Sequence, residues 1–169
     1  MSMKDYRTIV VGADGSSLTA PTVGRAAWLA KHDDADLVIV CAYSRLSRRN
    51  EAKNVATLGG DSRIGEVLGR EAAGLALQAA MQVAADEGAT VAAALLVDSE
   101  PARALVSTAA ERAADLIVLG SLHDRSLADR LLGSTAMEVT KRASCDVLIV
   151  RPEVATGSEL EVPEEVPVP

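Results

Sequence analysis

Short apolar runs alternate along the chain with longer segments of helical periodicity, and that alternation predicts its elements. RTIVVGA (7–13) reads as a first strand, DLVIVCAY (36–43) as a second and ATVAAALLV (89–97) as a third; DLIVLGS (115–121) and CDVLIVR (145–151) read as a fourth and a fifth. The spacing predicts helices over Thr19 to about Lys31, Ser62 to about Glu87, within DSEPARALVSTAAERAA (98–114), and from about residue 134 to Arg142. Pro21 falls in a first helical turn, where its missing N–H costs nothing, and Gly88 suits the position just past a helix end. Residues 44–61 form a long polar connection with a Gly-Gly break. Trp28, beside Leu29 on the first helix, is expected in the core.

Strands alternating with helices make an α/β chain, βαβαβαβαβ, in which a five-stranded parallel sheet is covered by helices on both faces. Right-handed crossovers make it a doubly wound sandwich. There is no internal repeat. The last segment, PEVATGSELEVPEEVPVP, departs from the pattern, with five Glu, no basic residue and four of the six prolines. We therefore divide the chain into a domain over 1–151 and an acidic, Pro-rich tail over 152–169. The tail reads either as disordered or as an extended arm, with Leu160 and Val162 gripping a neighbouring subunit.

Composition narrows the core and the partners. Half of the 169 residues are hydrophobic, yet 2% are aromatic and none is Phe, so Val, Ile, Leu and Ala must build the interior. Net charge is −7, of which the tail's five Glu carry all but −2. That balance argues against nucleic-acid binding, which needs excess Lys and Arg to displace counterions. No apolar run approaches the roughly 20 residues of a membrane span. The two cysteines, Cys41 and Cys145, form no disulfide framework, and MSMKDYR leads straight into a strand, so a cytoplasmic protein is expected.

In an open α/β sheet, ligands bind outside the carboxyl ends of the strands, where the strand order reverses. Gly12, Asp14 and Gly15 follow the first strand, Ala42 and Tyr43 end the second, and Gly120 and Ser121 end the fourth. The Gly133 loop returns to the same edge. Helix N-termini favour anions, and glycine lets a backbone come close to one. Gly120, Gly133 and the N–H groups of Ser134 and Thr135 would then hold phosphates, with Arg125 and Arg130 adding charge and Asp14 accepting from a base or ribose hydroxyl. The plainer reading is that Gly120 ends a strand and Gly133 starts a helix, with Thr135 and Glu138 as a capping box. Neither a P-loop nor a GxGxxG fingerprint is present.

IVVGADGSS after the first strand, DLIVLGS at the fourth, RLLGST before the last helix and CDVLIVRP at the end resemble the universal stress proteins over nearly all of residues 5–151. The family's nucleotide motif is Gly, two residues, Gly, nine residues, Gly, then Ser or Thr. Gly120, Gly133 and Ser134 match it, and His123 stands at the second glycine. Either the His123 side chain swings out or binds an anion, or it blocks a triphosphate. A second departure is Ser99, where many relatives have Gly before Pro. The resemblance implies an adenine nucleotide alpha hydrolase-like, Rossmann-like sheet of order 3-2-1-4-5. It places adenine and ribose at Gly12, Ala13, Asp14, Ala42 and Leu119, and phosphates at Gly120, His123, Gly133, Ser134 and Thr135. It implies ATP, with Mg²⁺, as ligand; cyclic AMP, or no nucleotide at all, is the alternative. It also implies a homodimer through the last strand, 145–151. The role expected is a regulatory stress-response dimer rather than an enzyme, at most a slow ATPase, with Asp14 or Asp124 as the base. The alternative role is an interaction protein acting through its dimer surface and tail.

Other chemistries find little support. Cys41 falls at the carboxyl end of its strand, whereas Cys145 and His32 fall at the opposite edge, so they do not converge on a metal. No GxSxG elbow marks a serine hydrolase, and GADGSS only faintly suggests the phosphate loop of an ATP pyrophosphatase. Arg45, Arg48 and Arg49 follow the second strand on the ligand edge, either as a lid over phosphates or as a solvated loop that balances Glu51 or Glu66.

Overall fold

The computed structural model describes residues 5–45, 67–121 and 133–151. The tail, Arg48, Arg49, the Gly-Gly break, His123, Asp124, Arg125 and Arg130 lie outside the described residues.

The elements follow in the order β1 (Thr8–Gly12), α1 (Thr19–Asp33), β2 (Asp36–Ser44), β3 (Val67–Leu68), α2 (Arg70–Asp86), β4 (Val91–Asp98), α3 (Pro101–Glu111), β5 (Leu116–Gly120), α4 (Ser134–Arg142) and β6 (Asp146–Val150). All the pairings are parallel, and the long strands lie in the order β4-β2-β1-β5-β6. This is the expected order 3-2-1-4-5, with the short β3 inserted into the count. β1 thus stands between β2 and β5, and the chain leaves it on opposite sides before and after the order reverses.

Two cores follow from the period-2 alternation of the strands. Ile9, Val11, Leu37, Ile39 and Val118 face α1 and α2, while Val10, Val38, Val40, Ile117 and Leu119 face α3 and α4. The lack of Phe is met by close helix approach: α2 buries Ala72, Ala73, Ala76, Ala80 and Ala84 against the sheet. At the opposite end from the ligand edge, the Asp115 carboxylate accepts the N–H groups of Arg7 and Thr8 at 2.8 and 3.1 Å and so fixes the start of β1 beside β5.

Three expectations are corrected. The helix assigned to 62–87 begins only at Arg70, because Val67 and Leu68 pair with Tyr43 and Ser44 and Gly69 adopts φ 90°, which an L side chain disfavours and a helix cannot contain. Tyr43 also pairs with Asp98 of β4, so β3 lies on the β1 side of β2, beyond the end of β1. Trp28 is not core: it is 51% exposed and stacks on His32, with ring centroids 5.4 Å apart. Its neighbours Val23, Ala26, Ala27 and Ala30 take the buried face of α1 instead. Finally, Thr135 is not the N-cap of a capping box, since α4 starts at Ser134 and its N-cap is Gly133.

Candidate functional site

A cleft of about 60 Å³ opens at the carboxyl ends of β1, β2 and β5, several times the roughly 10–15 Å³ that one water needs. Seven sequence-predicted residues line it: Gly12, Ala13, Asp14, Ala42, Leu119, Gly120 and Thr135. Gly133 and Ser134 stand exposed at the start of α4, next to Thr135 but outside the lining. His123 lies outside the described residues.

The walls arise locally. Ala13 donates its N–H to the Val40 carbonyl at 2.9 Å, which carries the β1–β2 pairing one step past the strand. The chain then turns. Asp14 Oδ1 accepts the Ser16 N–H at 2.9 Å and the Thr19 hydroxyl at 3.1 Å, while Thr19 Oγ1 accepts the Gly15 N–H at 3.0 Å. This network substitutes for a side-chain cap on α1, whose N-cap residue, Leu18, has none to offer. The Asp14 carboxylate is therefore held in place beside the cleft and is the only charged side chain in its lining among the described residues.

Gly120 is required by packing. A Cβ built there would lie 2.6 Å from Thr22 Oγ1 and 3.2 Å from Leu18 Cβ, so α1 sits directly against the end of β5. Gly133 is the opposite case, because a Cβ there meets nothing within 4 Å and its φ of −57° suits any residue. The α4 ladder begins with Met137 N–H to the Gly133 carbonyl at 2.9 Å, which leaves the first N–H groups of the helix outside the ladder and directed out from its positive end. Gly120 thus lines the cleft and is kept a glycine by the close packing of α1 on the end of β5, whereas Gly133 offers an open approach to a helix N-terminus.

Sequence reasoning missed Leu18, Thr19, Thr22, Val40, Pro101 and Leu105. Val40 was accessible from Ala42, two residues on and on the same strand face. Thr19 and Thr22 are polar residues three apart at the start of a helix otherwise rich in Ala, and that spacing was the available signal. Arg45 does not reach the cleft lining and instead pairs with Asp98 at the end of β4. Cys41 is buried in the sheet, and burial, followed by the nearby Asp14 charge, pushes its thiol up to about 12. Cys145 is half-buried at the other sheet end and is also raised, mainly by burial. Among the described residues no group of His, Cys, Asp or Glu could hold a metal ion, and no helix is long and apolar enough to cross a membrane.

The model of the universal stress protein family matches residues 5–151, a span that contains the whole sheet and the cleft. The chain belongs to the universal stress protein family. Universal stress protein Rv1636 of Mycobacterium tuberculosis is 38% identical over 148 residues, covering 88% of this chain and 98% of that protein. A universal stress protein solved in complex with cAMP is 34% identical, with a TM-score of 0.64, over 88% of this chain and 98% of that one. A universal stress protein from Archaeoglobus fulgidus shares the fold at 24% identity and a TM-score of 0.64, over 85% of this chain and 98% of that one.

Proposed function

We propose that this universal stress protein binds an adenine nucleotide in the cleft between β1 and β5 and acts through its occupancy rather than through turnover. The observation that carries the reading is the coincidence of three features: a cleft at the reversal of strand order, walls that among the described residues are apolar except for Asp14 and threonines, and an open helix N-terminus at Gly133. Such a cleft suits a flat base, a sugar and an anion in that sequence. The nucleoside would lie along Gly12, Ala13, Asp14, Ala42 and Leu119; the phosphate would meet Gly120 and the N–H groups of Gly133, Ser134 and Thr135, with His123 beside it.

Cyclic AMP is the ligand favoured. A relative 34% identical has been solved with it, and its single negative charge asks least of a cleft whose one charged wall group among the described residues is an acid. ATP with Mg²⁺ is the second reading, supported by the match of Gly120, Gly133 and Ser134 to the family's nucleotide motif. A bound Mg²⁺ would be held chiefly by the phosphates themselves and would neutralise their charge.

We further read the chain as a cytoplasmic homodimer joined through β6. Among the described residues β6 is an edge strand that pairs with β5 alone, and Val147, Leu148, Ile149 and Val150 are each partly exposed in one chain. An apolar edge of that kind needs a cover, and a second copy supplies one. The free thiols at Cys41 and Cys145 fit a reducing compartment.

A thermal-shift series tests the reading. A ligand that binds only the folded state at a hundred times its Kd stabilises by about 2.7 kcal/mol. Cyclic AMP should raise Tm in a concentration-dependent way, with a second rank for ATP–Mg²⁺. No shift with either would move the function to the subunit surface and the tail.

A further inference from the structure

Thr19 opens α1, is buried and belongs to the cleft lining. Its hydroxyl is fully used. Oγ1 accepts the Gly15 N–H at 3.0 Å and, more loosely, the Asp14 N–H at 3.4 Å. A hydroxyl has two acceptor sites and one proton, so with both acceptor sites turned to the backbone its proton goes to Asp14 Oδ1, 3.1 Å away. The same carboxylate oxygen accepts the Ser16 N–H at 2.9 Å. Two donors that converge on one oxygen, one from the turn and one from the helix, hold the carboxylate in one orientation. The backbone of the turn is set separately. Gly15 takes φ 74°, which glycine adopts without strain, and a Cβ built there would lie 3.1 Å from Ala76 Cβ, so the turn is packed against α2. Asp14 still has two rotatable side-chain bonds, and a hydroxyl anchored on α1 restrains them.

We propose that Thr19 is a positioning residue for ligand binding: its hydroxyl, oriented by the Gly15 N–H, holds the Asp14 carboxylate ready for the nucleoside. This rests on the reading that the cleft takes an adenine nucleotide with Asp14 beside its nucleoside. The Thr19 hydroxyl is spent before any ligand arrives, so it acts through Asp14 and not by a bond of its own to the ligand. Threonine suits the task. Its β-branched side chain has a restricted χ1 on a helix and presents the oxygen stiffly. An acceptor already fixed in the free protein spares the ligand the cost of ordering it. The same bonds also fasten the turn to the start of α1, so a loss of stability alone cannot distinguish positioning from capping, and the test has to separate them.

The test is a double-mutant cycle of Thr19→Val and Asp14→Ala, with Thr19→Ser beside it, read as the affinity for cyclic AMP and the Tm of each free protein. Thr19→Val should weaken cyclic AMP by about fivefold to tenfold, roughly the loss of one hydrogen bond. Asp14→Ala should weaken it at least as much. In the Asp14→Ala background, Thr19→Val should cost less than about a further twofold, because the residue it positions is gone. Thr19→Ser keeps the hydroxyl and should bind within about twofold of the wild type. If Thr19→Val does not fold, Thr19→Ala completes the same cycle. A Thr19 that merely caps α1 would lower Tm and affinity by the same factors in both backgrounds, and losses that multiply in this way would overturn the inference. Wild-type affinity in Thr19→Val, an equal loss in Thr19→Ser, or undiminished binding by Asp14→Ala would also overturn it and leave the nucleotide reading standing. Failure of the wild type to bind cyclic AMP or ATP–Mg²⁺ would overturn both.

Discussion

Thr22 Oγ1 and Gly120 are in contact so close that a Cβ on the glycine would lie 2.6 Å from the oxygen. Real Cβ atoms do not approach so near, and Thr22 is a stiff, β-branched side chain on a packed helix, so it cannot swing away cheaply. Gly120→Ala should therefore cost about 1–3 kcal/mol in chemical denaturation. Combining it with Thr22→Ala removes the oxygen and should restore part of that loss. The rescue should be incomplete, because Leu18 Cβ at 3.2 Å remains in the way.

Gly133 predicts a split between stability and binding. It is the N-cap of α4, its dihedral angles suit any residue, and its Cβ position is open. Gly133→Asp should leave stability unchanged or raise it by a few tenths of a kcal/mol, about the gain of a good N-cap over glycine. The same carboxylate would occupy the phosphate approach and should weaken cyclic AMP by roughly tenfold or more, about 1.4 kcal/mol. Equilibrium unfolding and a binding isotherm on one preparation separate the two effects.

The two thiols should be unreactive for a shared reason. Burial raises both, Cys41 to about 12, so little thiolate exists at pH 8 and Cys41 has no access to reagent. Ellman's reagent should label Cys41 only after denaturation, with Cys145 reacting slowly in the native protein. Fast reaction of both would contradict the packing described for β2.

Asp33 gives an acid-side prediction. The Tyr6 backbone N–H at 3.0 Å, and then His32 beside it, hold its carboxyl below the usual carboxylate value. A carboxyl whose pKa is lower folded than unfolded stabilises the protein above its unfolded pKa, and the contribution fades as pH falls through the lowered folded value. The stability difference between wild type and Asp33→Ala should be full at pH 7, constant down to about pH 5, and shrink below about pH 4.

Most of the architecture was legible because each long strand carries an unbroken apolar run bounded by polar residues or glycine, as in β2 and β5. The failures have local causes. Residues 67–69 continue a helix-compatible stretch, but a two-residue pairing with Tyr43 and Ser44 and the positive φ of Gly69 decide otherwise, and both are tertiary facts. Trp28 was assigned by residue type, although its position relative to Val23, Ala26, Ala27 and Ala30 already put it on the outer face of α1. In the cleft, Asp14 and the glycines announced themselves, while Thr19 and Thr22 did not. Their roles depend on how closely α1 approaches β5, which no spacing reveals.

The exposure of Trp28, the chain's single tryptophan, has its own test. Its fluorescence should be readily quenched by acrylamide, and Trp28→Ala should cost well under the ~3–5 kcal/mol of a buried aromatic truncation. Protected, blue-shifted emission would return it to the core or to a subunit contact.

The most direct test of the nucleotide cleft is calorimetric titration of the wild type and Gly133→Asp with cyclic AMP and, separately, with ATP–Mg²⁺. The account predicts saturable heat with the wild type, tighter for cyclic AMP, and its loss in Gly133→Asp while the variant stays folded. Equal binding to both proteins would contradict a phosphate site at α4, and no heat from either nucleotide would contradict the nucleotide cleft itself.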